Sequence, residues 1–561
     1  MKENGEWSEM ETGLRSNPDV LQFVLPQTIN GARMNFTSFS KHSQLFLDLN
    51  ISIPFEVTEH EAALMLLLQN LDYSQFDREK KKSGRPNAAD PYTMMLILLY
   101  ARIQGRYSSR TVENLCKRDI FLLKILGDTK APDHTTFERF VHTHEKAIDD
   151  VFFQAIQRLE SMGELGKDVV YQDGTKMESK AGRYSFVWKK TTTKNIDKLY
   201  EHIHGLILEA NNSFCWDLKQ GEAHEELQSL KEKLNETGAV LLPEKTGRGH
   251  RITMAQKIYR DALVFENKLK QYENYMAAME GRNSMSKTDP DATFMRMKDD
   301  HMRNGQLKPA YNLQVLVDGG YIVGSYASAD RTDYATMIPA LNHLHNSLPW
   351  KYSKYCADSG YDSQQNFQYL EGQGIEAYIK PQGYEQAKKR KNKKDIGKKE
   401  NMTYNSQQDC FICSKGKKLE MKHISSRKNQ YGFESKTHIY RCTRGCKTCT
   451  ARSACMKGSK TPYKQVQINH KLEEFHRKAV VRIGSPEGTE IRVNRSIQAE
   501  GAFAQIKANW SFRRFLRAGM KGIHTEWQII CLAMNAIHLG NRLSRGEVGA
   551  PFVYRILEES A

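Results

Sequence analysis

The order in which strand-like and helix-like stretches follow one another is what most constrains this chain. DVVYQD is a short β-branched run that ends in Asp173. Far downstream, AYNLQVLVDGGYIVGSYAS reads as two β-rich runs, and Gly319-Gly320 between them suits a hairpin turn. A helical stretch, YATMIPALNHLHNSL, leads to KYCADSG and so to Asp358; another, SQQNFQYLEGQ, leads to the run IEAYIK. Later still, RSIQAEGAFAQIKANW has helical periodicity and carries Glu500. Strand, hairpin, helix, strand, helix, strand and helix predict an α/β domain.

This is the element order of an RNase H-like α/β domain, in which two strand ends lie side by side and a helix brings its carboxylate across to them. The expected catalytic residues are then Asp173, Asp358 and Glu500. Carboxylate oxygens are hard ligands that suit Mg²⁺ (or Mn²⁺), and three of them can hold two ions while leaving positions for water and phosphate. Taken singly, each has an ordinary explanation: an Asp before Gly commonly caps a turn, and a helical Glu commonly faces solvent. Together, in order and on fitting elements, they argue for the metal. On a regular helix Ser496, Phe503 and Lys507 fall on nearly the same face as Glu500, which directs Lys507 toward a phosphate beside the metal. Trp188 and Trp510 border these motifs and read as core side chains, or as stacking surfaces for an unpaired base.

A chain of 561 residues needs roughly three or four domains or large insertions. Its net charge of +17 favours a polyanionic partner, nucleic acid first and an anionic membrane surface second; a basic soluble protein is the plain alternative. The longest apolar run, Thr93 to Ala101, is too short to span a bilayer. The first thirty residues are mixed polar and acidic, without a secretory signal. The expected setting is cytoplasmic, where ten cysteines are reduced thiols or metal ligands.

Residues 1–52 have weak periodicity and read as a flexible lead-in. Residues 53–160 read as an N-terminal all-α domain, with helix starts at Asp90, at Ser108 or Ser109, and at Asp133 and Thr135. Arg102, Arg106 and Arg110 near its turns suit a helix-turn-helix-like DNA-binding bundle, or a plain bundle with solvated arginines. The catalytic core spans 165–382 and 483–545, and a helical hairpin is inserted at 190–285. A basic and Cys-rich insertion, 383–482, opens with AKKRKNKKDIGKK, which reads as a mobile loop. Cys410, Cys413, Cys442, Cys446, Cys449 and Cys455 follow, including two C-x2-C pairs. Two such pairs can close a zinc-ribbon-like structural Zn²⁺ site; buried thiols or a redox centre are the alternatives, and spacing does not choose among the six.

The stretches YQDGTKMESKAGRYSFVWKK, DATFMRMKDDHMRNGQLKPAYNLQVLVD, ADSGYDSQQNFQYLEGQGIEAYIKP and QAEGAFAQIKANWSFRRFLRAGMKGIHTEWQIICLAMNAIHL resemble bacterial insertion-sequence transposases of the DDE type. The similarity is greatest to the insertion sequence eleven-eighty-two family. GRPNAADPYTMMLILLYARIQGRYSSRTVENLC, with PDHTTFERF after it, is similar to the helical domain that precedes the catalytic core in that group. The resemblance implies that Asp173, Asp358 and Glu500 are the catalytic carboxylates and that Glu500 and Lys507 form the Glu-x6-Lys pair of related transposases. Their Arg four residues before the Glu is missing: Ser496 stands there, with Arg495 and Arg492 nearby, and Val493 replaces the preceding Tyr.

The expected function is binding of terminal inverted repeats, followed by metal-dependent DNA strand cleavage and strand transfer. Its partners are double-stranded DNA, at the repeats and the target, and a second copy in a homodimer near the nucleoid; no membrane or small-molecule substrate is expected. Lys507, Arg495, Arg513, Arg514 and Arg517, with Lys521, are the expected phosphate contacts. The rival readings are an RNase H-like nuclease without strand transfer and a domesticated DNA-binding protein without catalysis.

Overall fold

The computed structural model describes residues 56–78, 89–127, 129–182, 184–237, 252–279, 282–297 and 305–555. The expected lead-in, 1–52, lies outside the described residues. The chain forms two compact units. One comprises Met1–Thr175, Asn312–Arg513 and Lys521–Ala561, the other Lys176–Tyr311 and Arg514–Met520.

The first unit begins with helices α1 (Glu59–Leu68), α2 (Ser74–Arg78), α3 (Pro91–Ile103), α4 (Ser109–Cys116), α5 (Ile120–Leu126), α6 (His134–Thr143) and α7 (Glu145–Ser161). Thr58 and Glu61 form a capping box on α1, while Asp90, Ser108, Asp119 and Asp133 cap α3 to α6. Each cap satisfies an N–H that the helix itself leaves open and contributes about 1 kcal/mol. Thr135 lies inside α6, and its hydroxyl donates to Asp133. The run from Thr93 to Ala101 is core, with α3 buried from Met94 to Arg102. Among the described residues no helix is long and apolar enough to cross a membrane. Arg102, expected at a DNA-facing turn, points inward instead, and its guanidinium donates to the Arg106 carbonyl at 2.8 Å. Arg106 and Arg110 are exposed. Strand β1 (Val169–Glu178) follows α7 and carries the chain into the second unit.

There, β2 (Phe186–Trp188) pairs antiparallel with β3 (Ser284–Ser286). Between them lie α8 (Lys189–Phe214), α9 (Ala223–Glu236) and α10 (Met254–Met279), three helices where a hairpin of two was expected. They share a core of Leu199, Ile203, Ile207, Leu230, Leu234, Ile258 and Leu269. Helix α9 buries little besides Leu227, Leu230 and Leu234, so its stripe is narrow and masked by Lys and Glu. Strand β4 (Thr293–Arg296) pairs with the first residues of β5 (Leu307–Asp318), which leads back to the first unit.

The sheet of the first unit has the order β6-β5-β1-β7-β8, where β6 is Tyr321–Ser328, β7 Lys354–Ala357 and β8 Glu376–Ile379. β5 and β6 form the expected antiparallel hairpin, while β1, β7 and β8 run parallel. Gly319 and Gly320 both have positive φ, +60° and +85°, as the two-residue turn requires. A Cβ on Gly319 would stand 2.3 Å from the Glu164 carbonyl oxygen, so only glycine fits. Helices α11 (Met337–Ser347) and α12 (Gln364–Gly372) make the crossovers to β7 and β8.

The chain then makes two short helices, α13 (Tyr384–Lys388) and α14 (Arg390–Lys393), where a loop was expected. Strands β9 (Thr403–Asn405), β10 (Cys410–Ile412), β11 (Lys418–Lys428), β12 (Glu434–Arg441) and β13 (Gln465–Ile468) form a separate antiparallel sheet, ordered β13-β12-β11-β10-β9. Its core is small: Met402, Phe411, Leu419, Tyr440, Cys442 and Val466. One short helix, α15 (Arg452–Met456), interrupts the loop before β13.

Helices α16 (His470–Gly484), α17 (Pro486–Arg495), α18 (Gly501–Ala504) and α19 (Met520–Arg545) complete the fold. α19 is pinned to the sheet by Asn535, whose side chain bonds both the N–H (2.8 Å) and the carbonyl (2.9 Å) of Ile322. Its buried Ile523, Trp527, Ile530 and Leu539 each contribute about 1.5–3 kcal/mol by leaving water. At its far end Arg542 forms a buried ion pair with Glu164 at 2.8 Å, which also accepts from the Tyr321 hydroxyl.

Candidate active site

Strand register brings the two aspartates together. β1 and β7 pair at Val169↔Lys354, Val170↔Tyr355 and Tyr171↔Cys356. Two residues further along, Asp173 comes level with Asp358 on strands about 4.8 Å apart. Asp173 is not at a strand end as expected, because β1 runs on to Glu178. The neighbour ends instead: β7 stops at Ala357, and Asp358 turns the chain by accepting from the Gly360 N–H at 2.7 Å. Asp173 thus faces the opening that the turning chain leaves, with its side chain 14% exposed.

A fourth carboxylate, Asp333, stands at this opening. Asp333 begins the turn after β6 and accepts from the side chains of Asn312 (2.8 Å) and Gln314 (3.1 Å). A Cβ on Gly174 would lie 2.9 Å from Asp333 Oδ1; one on Gly360 would lie 2.8 Å from Asp358 Oδ1 and 3.1 Å from Asp333 Oδ2. The two glycines leave the room that Asp333 occupies beside β1 and the turn at Asp358. Beneath it Gln314 accepts from the Tyr361 hydroxyl and from Gln172 Nε2 (2.9 Å), and Gln172 accepts from Tyr355 (2.8 Å). Burial pushes both tyrosine pKa values well up, so they stay protonated donors and the network stays satisfied and rigid. One sequence signal for it existed: Asn312 and Gln314 are polar residues at period two on an otherwise apolar strand.

Glu500 reaches the site through Arg495. The Arg495 guanidinium lies 2.7 Å from Glu500 Oε1 and 3.8 Å from Asp173 Oδ1. Burial alone would lower the pKa of Arg495, yet Asp173 and Glu500 hold it above the ordinary guanidinium value. Residues five apart on an α-helix point about 140° away from each other and do not meet. Here Ser496–Glu500 is a π turn, and a second spans Gln505–Asn509. The wider turn returns Glu500 to the face of Arg495, a distortion frequent at functional sites. It also corrects the regular-helix expectation: Phe503 is buried and stacked on Trp527, whereas Glu500 is 52% exposed.

The expected phosphate contacts divide. Arg513 and Lys521 are exposed, and Lys507 and Arg517 are half-buried. Arg514 is exposed as well and donates to the carbonyls of Ser179, Lys180 and Ala181. Trp510 is core, its carbonyl accepting from the Tyr107 hydroxyl at 2.7 Å, and Trp188 is half-exposed beside Phe186 and Phe294.

Five of the six clustered cysteines, Cys413, Cys442, Cys446, Cys449 and Cys455, line one small cavity of about 20 Å³. Cys410 is buried and is not among the residues that line it. Burial pushes the Cys442 thiol up to about 11, helped by Cys446 beside it. Among the described residues, no three His, Cys, Asp or Glu side chains stand together as a ready-made metal cage.

Two family models match the chain. Residues 412–539 match the Transposase DDE domain, and residues 56–143 match the Transposase domain (DUF772). The chain is an insertion-sequence transposase of the DDE type. No curated protein and no solved structure matches it. In this transposase the DDE match includes Glu500, Lys507 and the five cavity-lining cysteines. Asp173 and Asp358 lie outside it, so their place in the site rests on the sheet.

Proposed function

We propose that this transposase binds the terminal inverted repeats of its insertion sequence and catalyses metal-dependent cleavage and strand transfer on double-stranded DNA. Asp173, Asp358 and Glu500 are the catalytic carboxylates, on an RNase H-like core. What carries this reading is the register that sets Asp173 level with Asp358, with Arg495 joining Asp173 to Glu500. The core assignment is supported by the strand order, in which the antiparallel hairpin β5-β6 lies on one side of β1 and two strands parallel to β1 lie on the other. The quoted motifs and the DUF772-type helical domain fit the insertion sequence eleven-eighty-two family.

The donor set suits hard divalent cations, since it consists of carboxylate oxygens with no thiol or imidazole among them. Two Mg²⁺ (or Mn²⁺) ions held there would activate water and stabilise the leaving 3′-oxygen. The chain's own residues prepare the site. Arg495 offsets the repulsion between Asp173 and Glu500, and Asn312 and Gln314 orient Asp333 beside Asp358. Lys507, Arg513, Arg517 and Lys521 position phosphates, while Arg106 and Arg110 present charge from the N-terminal helices. After cleavage the freed 3′-hydroxyl attacks a target phosphodiester, one P–O bond forming as another breaks. Two copies bring the two element ends together as a homodimer.

The test is incubation of the protein and Mg²⁺ with DNA carrying its flanking repeats beside a target plasmid. Excised element joined to target is the expected product. Nicks without joined product would replace the reading with a nuclease, and unchanged activity in Asp173→Ala would remove the catalytic assignment.

A further inference from the structure

We propose that four of the five thiols of Cys413, Cys442, Cys446, Cys449 and Cys455 hold one structural Zn²⁺ ion, and that Cys410 takes no part. This does not rest on the catalytic reading. Strand parity separates Cys410 from the other thiols. Phe411 and Cys413 pack on the same small core with Leu419 and Tyr440, whereas Cys410, an odd number of residues away, is buried outside that cluster. The C-x2-C spacing that joins Cys410 to Cys413 in sequence is therefore broken by the strand.

The cavity has the size of an ion site. At about 20 Å³ it accommodates about one water-sized sphere, too little for a substrate and enough for one ion enclosed by sulfur. Lys417, Lys464 and Arg452 line it as well. A zinc with four thiolates carries two net negative charges, and these cations offset them. Arg452 is held in place by the carbonyls of Cys446 (3.3 Å) and Thr461 (2.7 Å).

Strands β9 to β13 share six buried core residues, and the loop from Cys442 to Lys464 holds only the one-turn helix α15. Small cores of this kind commonly need a metal or cross-link to hold. All ten cysteines are free thiols. As the ion binds, four S–H protons pass to solvent and four Zn–S bonds form, so binding free energy adds to folding free energy.

The test is zinc content per chain in the full-length protein and in single variants. The wild type and Cys410→Ser are expected to carry about one zinc each, while Cys413→Ser and Cys446→Ser lose it almost entirely. A zinc-free wild type, or loss on Cys410→Ser as large as on Cys413→Ser, would overturn the proposal. Should the variants fail to fold, the Co²⁺-substituted wild type decides: tetrahedral d–d bands with a thiolate charge-transfer band support the site, and their absence refutes it.

Discussion

The carboxylates and the thiols of this transposase are assembled by opposite routes. Asp173 and Asp358 are far apart in sequence and meet because two strands lie in parallel register across a sheet. The five thiols lie close in sequence and gather round a cavity beside a sheet with little core of its own. One group is positioned by a large scaffold that would hold its shape with the ligands removed. The other is positioned mainly by a loop, so its ligands and its fold depend on each other. Long-range order thus makes a precise site from scattered residues, and short-range proximity alone does not: Cys410 is close in sequence yet absent from the cavity lining.

The contrast can be broken most directly at the acids. Asp173→Asn or Asp358→Asn is expected to lower strand cleavage by about a thousandfold or more while leaving thermal unfolding and zinc content unchanged. Parallel loss of zinc would mean that the two regions are not independent. The scaffold comes next. Arg542→Met leaves Glu164 buried without its ion partner and is expected to remove about 3–5 kcal/mol from the first unit, measured by urea unfolding. Cleavage should then fail at a correspondingly lower temperature.

A pH experiment sharpens the same point. Burial pushes the Asp318 carboxyl, at the hairpin end of β5, up to about 6, although it accepts from the N–H groups of Gly166 (3.1 Å) and Lys167 (2.9 Å). The folded chain therefore binds this proton more tightly than the unfolded one. The stabilisation, roughly 3 kcal/mol, is full below about pH 4 and lost as pH rises through about 6. Asp318→Asn should flatten that slope in urea midpoints measured across the window; an unchanged slope would clear Asp318 of the effect. The smallest effect is expected at Arg495. Arg495→Ala should slow cleavage about 10–100-fold, with Arg495→Lys in between because it keeps the charge but loses the two-pronged contact. Equal rates for Lys and Ala would show that geometry, not charge, is what Arg495 provides.

Much of this was legible in the residues. The β-branched runs, the Gly-Gly turn and the capping residues Asp90, Ser108 and Asp133 mark elements that the fold contains, because each is a local preference that the tertiary structure does not oppose. Asp173, Asp358 and Glu500 could be named from the elements they sit on. Other features were hidden because their cause is not local. Helix α9 hides its narrow apolar stripe among charges, and Arg102 looks like a solvent-facing cation although it is buried and donates to the Arg106 carbonyl. Asp333 gains its place only through Gly174 and Gly360, two small residues far from it in sequence.

The wide turn at Ser496–Glu500 has a consequence for comparing this chain with others. A π turn stores one residue more than an α turn while restoring nearly the same rotational phase. Counted along the chain, Ser496 falls four positions before Glu500, and the arginine looks lost. Followed around the helix axis, Arg495 occupies that angular position and makes the ion pair. Removing a single exposed residue such as Ile497 would let the helix relax to ordinary pitch with Arg495 and Glu500 still facing each other. A deletion there can be milder than a substitution, and an alignment that forbids gaps in helices will pair the wrong residues.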